Sequence, residues 1–244
     1  MTSAVSARNI ANYASDWSLL SYAAETGLRP LEAGLVREFF PSPPARVLDL
    51  GCGAGRTTIG LSDLGYDVLG IDLSSALLQV ARRRFPSIAF AEMDATRLEL
   101  ADGTFDAAIF SYNGIDCIYP AAARRRCLAE TWRVLRPGGV FILSSHNFVG
   151  ATFSGGYFYP RGYWNAIRFL ARQVTNPLAW RWYLRYDDPG GTQYLYSAPP
   201  GRTVSDSRAA GFSVVAVRGS AGARELGRAR MREQHVHFVL SKPL

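Results

Sequence analysis

The segment Val47-Leu-Asp-Leu-Gly-Cys-Gly-Ala-Gly55 constrains this chain more than any other. A short apolar run, Arg46–Leu50, drives straight into glycines at 51, 53 and 55, and a helix-forming stretch, Arg56–Leu64, follows. Glycine has no Cβ, so a strand-to-helix loop of this kind lets a ligand come close to the backbone. The spacing narrows the ligand. A dinucleotide loop reads G-x-G-x-x-G and seats a pyrophosphate on the helix N-terminus. Here the third glycine comes one residue early, and Arg56 stands in its place. Asp49 also precedes the loop by two residues. A carboxylate there repels a pyrophosphate and attracts an ammonium group.

Around the loop the chain alternates. Short apolar strands are predicted over Arg46–Leu50, Asp67–Ile71, Ile88–Ala91, Phe105–Phe110 and Val140–Ser144. Helices fall between them: Arg56–Leu64 closed by Gly65, Ser74–Phe85 with Ser74 as N-cap, and Ala121–Leu135 before a Pro137-Gly138-Gly139 turn. Such alternation builds right-handed βαβ units on a doubly wound parallel sheet. The chain divides into helical residues 1–44, a core at 45–147, an aromatic-rich insertion at 148–200, and C-terminal strands at 201–244, all in one domain. Two last strands are expected at Phe212–Val217 and His235–Leu240.

Two more acidic residues sit where a non-phosphate nucleoside ligand needs them. Asp72 ends the second strand about twenty residues past the loop, the place for a carboxylate that accepts from both ribose hydroxyls. Asp94 follows the third strand and can accept from an adenine amino group. The motifs DLGCGAG, GIDLS, MDATRLEL, FDAAIFSYNG and RVLRPGGVFILSSHN run in order over residues 45–147. In that order they resemble class I S-adenosylmethionine-dependent methyltransferases. The resemblance implies a Rossmann-like sheet of seven strands in the order 3-2-1-4-5-7-6, with the last antiparallel. It also implies S-adenosylmethionine as cofactor and S-adenosylhomocysteine as product. The cofactor residues it marks are Asp49, Gly51, Cys52, Gly53, Gly55, Asp72, Leu73, Asp94, Ala95, Ser111, Tyr112 and Asn113.

An acceptor in this architecture lies beyond the C-terminal ends of the strands. His146, after the fifth strand, is the candidate general base. Tyr13, Asp116, Asn147, Tyr157 and Trp164 are the candidate substrate residues, and the insertion is expected to cap the substrate. Its density of Tyr and Trp suggests an apolar or aromatic small molecule. The expected reaction is O-methylation of a hydroxyl or phenol in secondary metabolism. The alternatives are N-methylation of a small amine and a non-catalytic S-adenosylmethionine-binding protein.

Composition excludes other classes. The net charge of +7 rests almost wholly on arginine, since Lys242 is the one lysine, and a nucleic-acid partner is not expected from that skew. The triplets Arg82–Arg84 and Arg124–Arg126 read as solvated helix faces. Three scattered cysteines make neither a disulfide framework nor a paired metal motif. His235 and His237 share a strand face without an evident third ligand, so no metal is expected. No apolar run is long enough to span a bilayer and no signal-peptide stretch leads the chain. The expectation is a cytoplasmic monomer or homodimer with no membrane partner.

Overall fold

The computed structural model describes residues 4–152, 160–219 and 233–244. Three helices lead in: α1 (Ala4–Tyr13), α2 (Asp16–Ala24) and α3 (Pro30–Phe39). The core then runs β1 (Arg46–Leu50), α4 (Arg56–Ser62), β2 (Asp67–Asp72), α5 (Ser75–Arg84), β3 (Ala89–Glu92), β4 (Phe105–Phe110), α6 (Ala121–Val134) and β5 (Leu135–His146). After it come α7 (Phe148–Thr152), α8 (Pro160–Val174), β6 (Tyr183–Asp188), β7 (Gly191–Tyr196), α9 (Pro200–Ala209), β8 (Ser213–Gly219) and β9 (His235–Ser241). One sheet has the order β3-β2-β1-β4-β5-β9-β8. Strands β1 to β5 pair in parallel, and β9 enters antiparallel to both β5 and β8. This is the Rossmann-like methyltransferase order expected above, with the chain's last strand reversed between its neighbours.

The central strands are apolar on both faces because helices cover both. Strand pleating sends successive side chains to opposite sides. Leu48, Ala108, Phe141 and Phe238 therefore join one buried cluster, and Val47, Ala107, Ile142 and Val239 join the other. The α6 residues Cys127 and Leu128 belong to the first cluster, and Leu35 and Val36 of α3 with Leu61 of α4 to the second. Ser74 caps α5 by accepting from the Leu77 N–H at 3.3 Å, and Arg82–Arg84 fill its last turn, where cations suit the helix dipole.

Several boundaries differ from expectation. The Pro137-Gly138-Gly139 stretch is not a turn. It lies inside the twelve-residue β5, where Gly138 N–H donates to Lys242 O at 2.9 Å and the β4 register shifts. His146 is consequently the last residue of β5, paired with His235 of β9, rather than a residue beyond the strand. The insertion contains an antiparallel hairpin, β6–β7, turned at Pro189-Gly190. Arg124 is not on a solvated face; it is wholly buried, whereas Arg125 and Arg126 are exposed.

Gly60 of α4 lies against the Gly27-Leu28 backbone, and a Cβ there would meet Leu28 N at 2.7 Å. Backbone cannot rotate aside as a side chain can. Gly60→Ala should lower stability by about 1–3 kcal/mol, the cost of overpacking. Denaturant unfolding should show a lower midpoint with an unchanged slope.

Candidate functional site

Two cavities open at the C-terminal ends of β1, β2, β4 and β5. The first, about 520 Å³, lies over the glycine loop. Gly51, Gly53 and Gly55 all have positive φ, at 62°, 55° and 85°, but they serve different ends. A Cβ on Gly51 would strike the Phe110 ring, and one on Gly55 would meet Phe85 at 2.9 Å. These two let the loop close on its own aromatic neighbours. A Cβ on Gly53 would find only a Leu77 methyl, at 4.0 Å, so this residue presents bare backbone to open space.

Of the expected cofactor residues, Gly51, Cys52, Gly53, Asp72, Leu73, Asp94, Ala95, Ser111 and Tyr112 line this cavity. Asp72 accepts from the N–H groups of Gly53 and Ser74, each at 2.8 Å, which locks it to the loop. Burial raises its pKa against those bonds. Three expected residues do not line the cavity. Gly55 faces Phe85 as described. Asn113, in left-handed backbone at φ 59°, lines the second cavity. Asp49 is wholly buried beneath the loop and takes a hydrogen bond from Thr58 Oγ1 at 2.7 Å. Its other oxygen has no hydrogen-bond partner among the described residues. Burial pushes its pKa up to about 7, with the Thr58 bond and Arg56 opposing.

Arg56, which stands where a dinucleotide loop has its third glycine, organises the loop's far side. Its guanidinium donates to both oxygens of buried Glu32, at 2.7 and 2.9 Å, and to Ser111 Oγ at 2.8 Å. Ser111 in turn donates to Glu32. Burial would raise the Glu32 pKa, but the Arg56 bonds outweigh it and hold the carboxylate below its usual range. The motif break at position 56 was the only signal of this role in the sequence.

The second cavity, about 630 Å³, holds His146, His235 and His237. Tyr13, Tyr22, Tyr112 and Cys117 line both cavities and so form the wall between them. Tyr13 Oη lies 2.9 Å from Cys117 Sγ, and the Tyr13 and Tyr22 rings meet at 5.8 Å. Tyr22 carried no signal beyond being an aromatic on an N-terminal helix.

His146 Nδ1 lies 2.9 Å from Asp116 Oδ2, the same oxygen that accepts from the His146 N–H at 2.6 Å. Asp116 also accepts from Ser145 Oγ at 2.8 Å, and Arg124 Nε stands 3.7 Å away. Asp116 is therefore wholly buried behind the histidine and does not line the cavity; it orients His146 instead of touching a substrate. An Nδ1–H donated to Asp116 leaves Nε2 as the nitrogen able to accept a proton. The His235 ring stands 5.0 Å from His146, and burial, with the neighbouring histidines, lowers its pKa to about 4. Burial also lowers His237. Among the described residues no His/Cys/Asp/Glu group is arranged to hold a metal.

The remaining substrate expectations fare differently. Tyr13 is in place on the shared wall. Asn147 is buried and donates to Glu233 O at 2.8 Å while accepting from the Val149 N–H, so it supports the strand end rather than the cavity. Trp164 stands on the outside of α8, 66% exposed, and lines neither cavity. Tyr157 lies outside the described residues. The first cavity is covered by α1 and α2 through Ser6, Asn9 and Tyr22, and among the described residues none of the insertion lines it; Tyr186 and Leu195 of the hairpin line the second.

Residues 47–139 match the family described as a methyltransferase domain. A demethylmenaquinone methyltransferase of Beutenbergia cavernae is 43% identical over 102 residues, covering 42% of this chain and 41% of the relative. Another from Thermus thermophilus is 32% identical over 131 residues, covering 51% and 56%. The chain thus spans about half the length of these relatives, or less. A Methanosarcina mazei structure described as an S-adenosylmethionine-dependent methyltransferase superposes with TM-score 0.66 at 20% identity, over 89% of this chain and 99% of that one.

The first cavity fits S-adenosylmethionine. It lies within the range of small-molecule sites, about 300–1,000 Å³. Its rim carries carboxylates at Asp72 and Asp94, which suit hydroxyl and amino donors. The cationic Arg56 in its wall is already bound to Glu32 and is not spent on a phosphate.

A carboxylate whose folded pKa lies above its unfolded value, about 4, binds more protons when folded, so stability falls as pH rises between the two. For Asp49 that window ends near pH 7. Asp49→Asn, which mimics the protonated acid, should match the wild type in acid and become progressively more stable than it as the pH rises through this window. Unfolding midpoints of both proteins across that range test this, and a pH-independent difference would contradict it.

Proposed function

We propose that this chain, whose residues 47–139 form a class I S-adenosylmethionine-dependent methyltransferase domain, methylates a small acceptor molecule held in the second cavity. The observation that carries this reading is the shared wall. The cavity over the glycine loop and the cavity that His146 lines adjoin, sharing the side chains of Tyr13, Tyr22, Tyr112 and Cys117. Bound S-adenosylmethionine supplies a methyl group on a sulfonium that needs no further activation. The chain's own residues do the rest. With it bound, Asp72 and Asp94 would hold its ribose and adenine ends, the Gly53 backbone would admit it, and the aromatic wall would keep water from the point of transfer. His146, oriented by Asp116, accepts the acceptor's proton at Nε2 as the new bond forms.

The acceptor class that suits this site is a small aromatic molecule with an ionisable hydroxyl, giving O-methylation. A second reading draws on the two relatives named for demethylmenaquinone. It is methylation at a carbon of a quinone-type ring, where the same base takes a proton from the ring system. The acceptor cavity is built from residues 12–32, 112–117, 144–146, 186–195 and 234–237, mostly outside the matched domain, so the two acceptors are separated by product analysis. The chemical shift of a carbon-13 methyl label distinguishes an O-methyl from a C-methyl product.

His146→Ala should lower turnover to S-adenosylhomocysteine by about two to four powers of ten, the range of general-base catalysis, while leaving cofactor affinity unchanged. A near-normal rate would remove His146 from proton transfer. Asp72→Ala should weaken S-adenosylmethionine binding by about 1.5–3 kcal/mol, the scale of hydrogen bonds to a charged group. Calorimetry measures it, and an unchanged dissociation constant would move the cofactor away from β2.

A further inference from the structure

Helix α8 has two unlike faces. Ala166 and Gln173 are buried and Phe169 is partly so. Gln173 is tied to β6, accepting from the Arg185 N–H at 2.9 Å and donating to Arg185 O at 3.2 Å. The opposite side carries Trp164, Ile167, Leu170, Ala171 and Val174, all exposed. At 100° per residue these five fall in one continuous stripe, and over ten residues the stripe runs about 15 Å. Val174 is 84% exposed, and Trp180, just beyond the helix, 94%. Soluble surfaces scatter single apolar residues, but a contiguous stripe of this kind marks a docking face.

The charges beside the stripe say what it docks against. Arg168 and Arg172 border it on the same helix, and Arg181 adjoins Trp180; all three are exposed. From Thr131 to Tyr186 the sequence contains no Asp or Glu at all, while residues 160–186 contain five arginines. The first acid afterwards, Asp187, is taken by Arg185 and Thr192. An apolar stripe whose charged neighbours among the described residues of the helix are cations is complementary to an anionic lipid interface: the aliphatic and indole groups enter the headgroup boundary and the guanidinium groups stay level with the phosphates. We propose that α8 and Trp180 seat this protein on the surface of an anionic phospholipid bilayer. This is surface contact, not spanning; among the described residues no helix is long and apolar enough to cross a membrane. It departs from the expectation of no membrane partner, and it gives Trp164 a place outside the substrate cavity.

The seat bears on the site. Phe169 on the inner face of α8 meets the Tyr186 ring at 5.7 Å, and Tyr186 meets the His146 ring at 5.7 Å. The docked surface is thus one helix and one hairpin away from the cavity that holds His146.

Flotation with vesicles tests this without turnover, so it stands or falls apart from the proposed reaction. The full chain should float with vesicles of phosphatidylcholine and phosphatidylglycerol, not with phosphatidylcholine alone, and less well as salt rises. Ile167→Asp combined with Val174→Asp should abolish flotation while circular dichroism and S-adenosylmethionine binding stay unchanged. Should that pair unfold the helix, Arg168→Gln with Arg172→Gln decides, with vesicle affinity expected to fall roughly thirtyfold. Three results would overturn the proposal. One is absence of flotation by the wild type, whether the protein instead forms a dimer that Ile167→Asp dissociates or stays monomeric. Another is flotation that neither variant pair changes. The third is retention of an RNA oligomer, lost on replacing Arg168 and Arg172, with no vesicle binding.

Discussion

The charge on Arg124 is the constraint around which the walls of the second cavity are arranged. The guanidinium is wholly buried on α6, and an isolated charge there would cost several kcal/mol. Several neighbours meet it, although Nε has no hydrogen-bond partner among the described residues. Asp116 lies 3.7 Å from Nε, Asp206 of α9 3.4 Å from a terminal nitrogen, Thr203 accepts at 3.1 Å, and the Tyr196 ring lies 4.5 Å from Cζ. One side chain thereby fixes α6, α9, the β6–β7 hairpin and the turn after β4. Through Asp116 it reaches Ser145 and His146 at the end of β5.

The cavity over the glycine loop has a different logic. Its geometry comes from backbone, with three left-handed glycines in five residues and a carboxylate, Asp72, that accepts from two main-chain N–H groups. Such a site is written in local sequence, because each requirement is met by one residue type at one spacing. That is why nine of the twelve expected residues line the cavity over the loop, and why the sheet has the order that the resemblance carried by the motifs over residues 45–147 implies.

The second cavity depends on long-range pairings that local patterns do not encode. Whether an arginine in a helical triplet is solvated or buried depends on what packs over it, and α9 and β7 arrive some eighty residues later to cover Arg124. His235 meets His146 because β9 slots antiparallel beside β5, a register set at the end of the chain. The insertion was legible as aromatic but not as a hairpin, although Asp188-Pro-Gly-Gly191 between two alternating runs is a turn signal. Trp164 fails for a related reason: aromatic density marks contact with something apolar, and does not say on which side of a helix.

The wall of Tyr13, Tyr22, Tyr112 and Cys117 has a consequence for how the two chambers communicate. Its side chains belong to both, so any rotation that enlarges one chamber reshapes the other. Tyr13 and Cys117 hold each other across it, and the Tyr22 ring bridges Tyr13 and Tyr112 at 5.8 Å to each. A ligand that shifts this partition on one side changes the free energy of occupancy on the other, and linkage makes the effect equal in both directions. Occupants of the two chambers are then coupled, each setting the affinity of the other through the side chains they share.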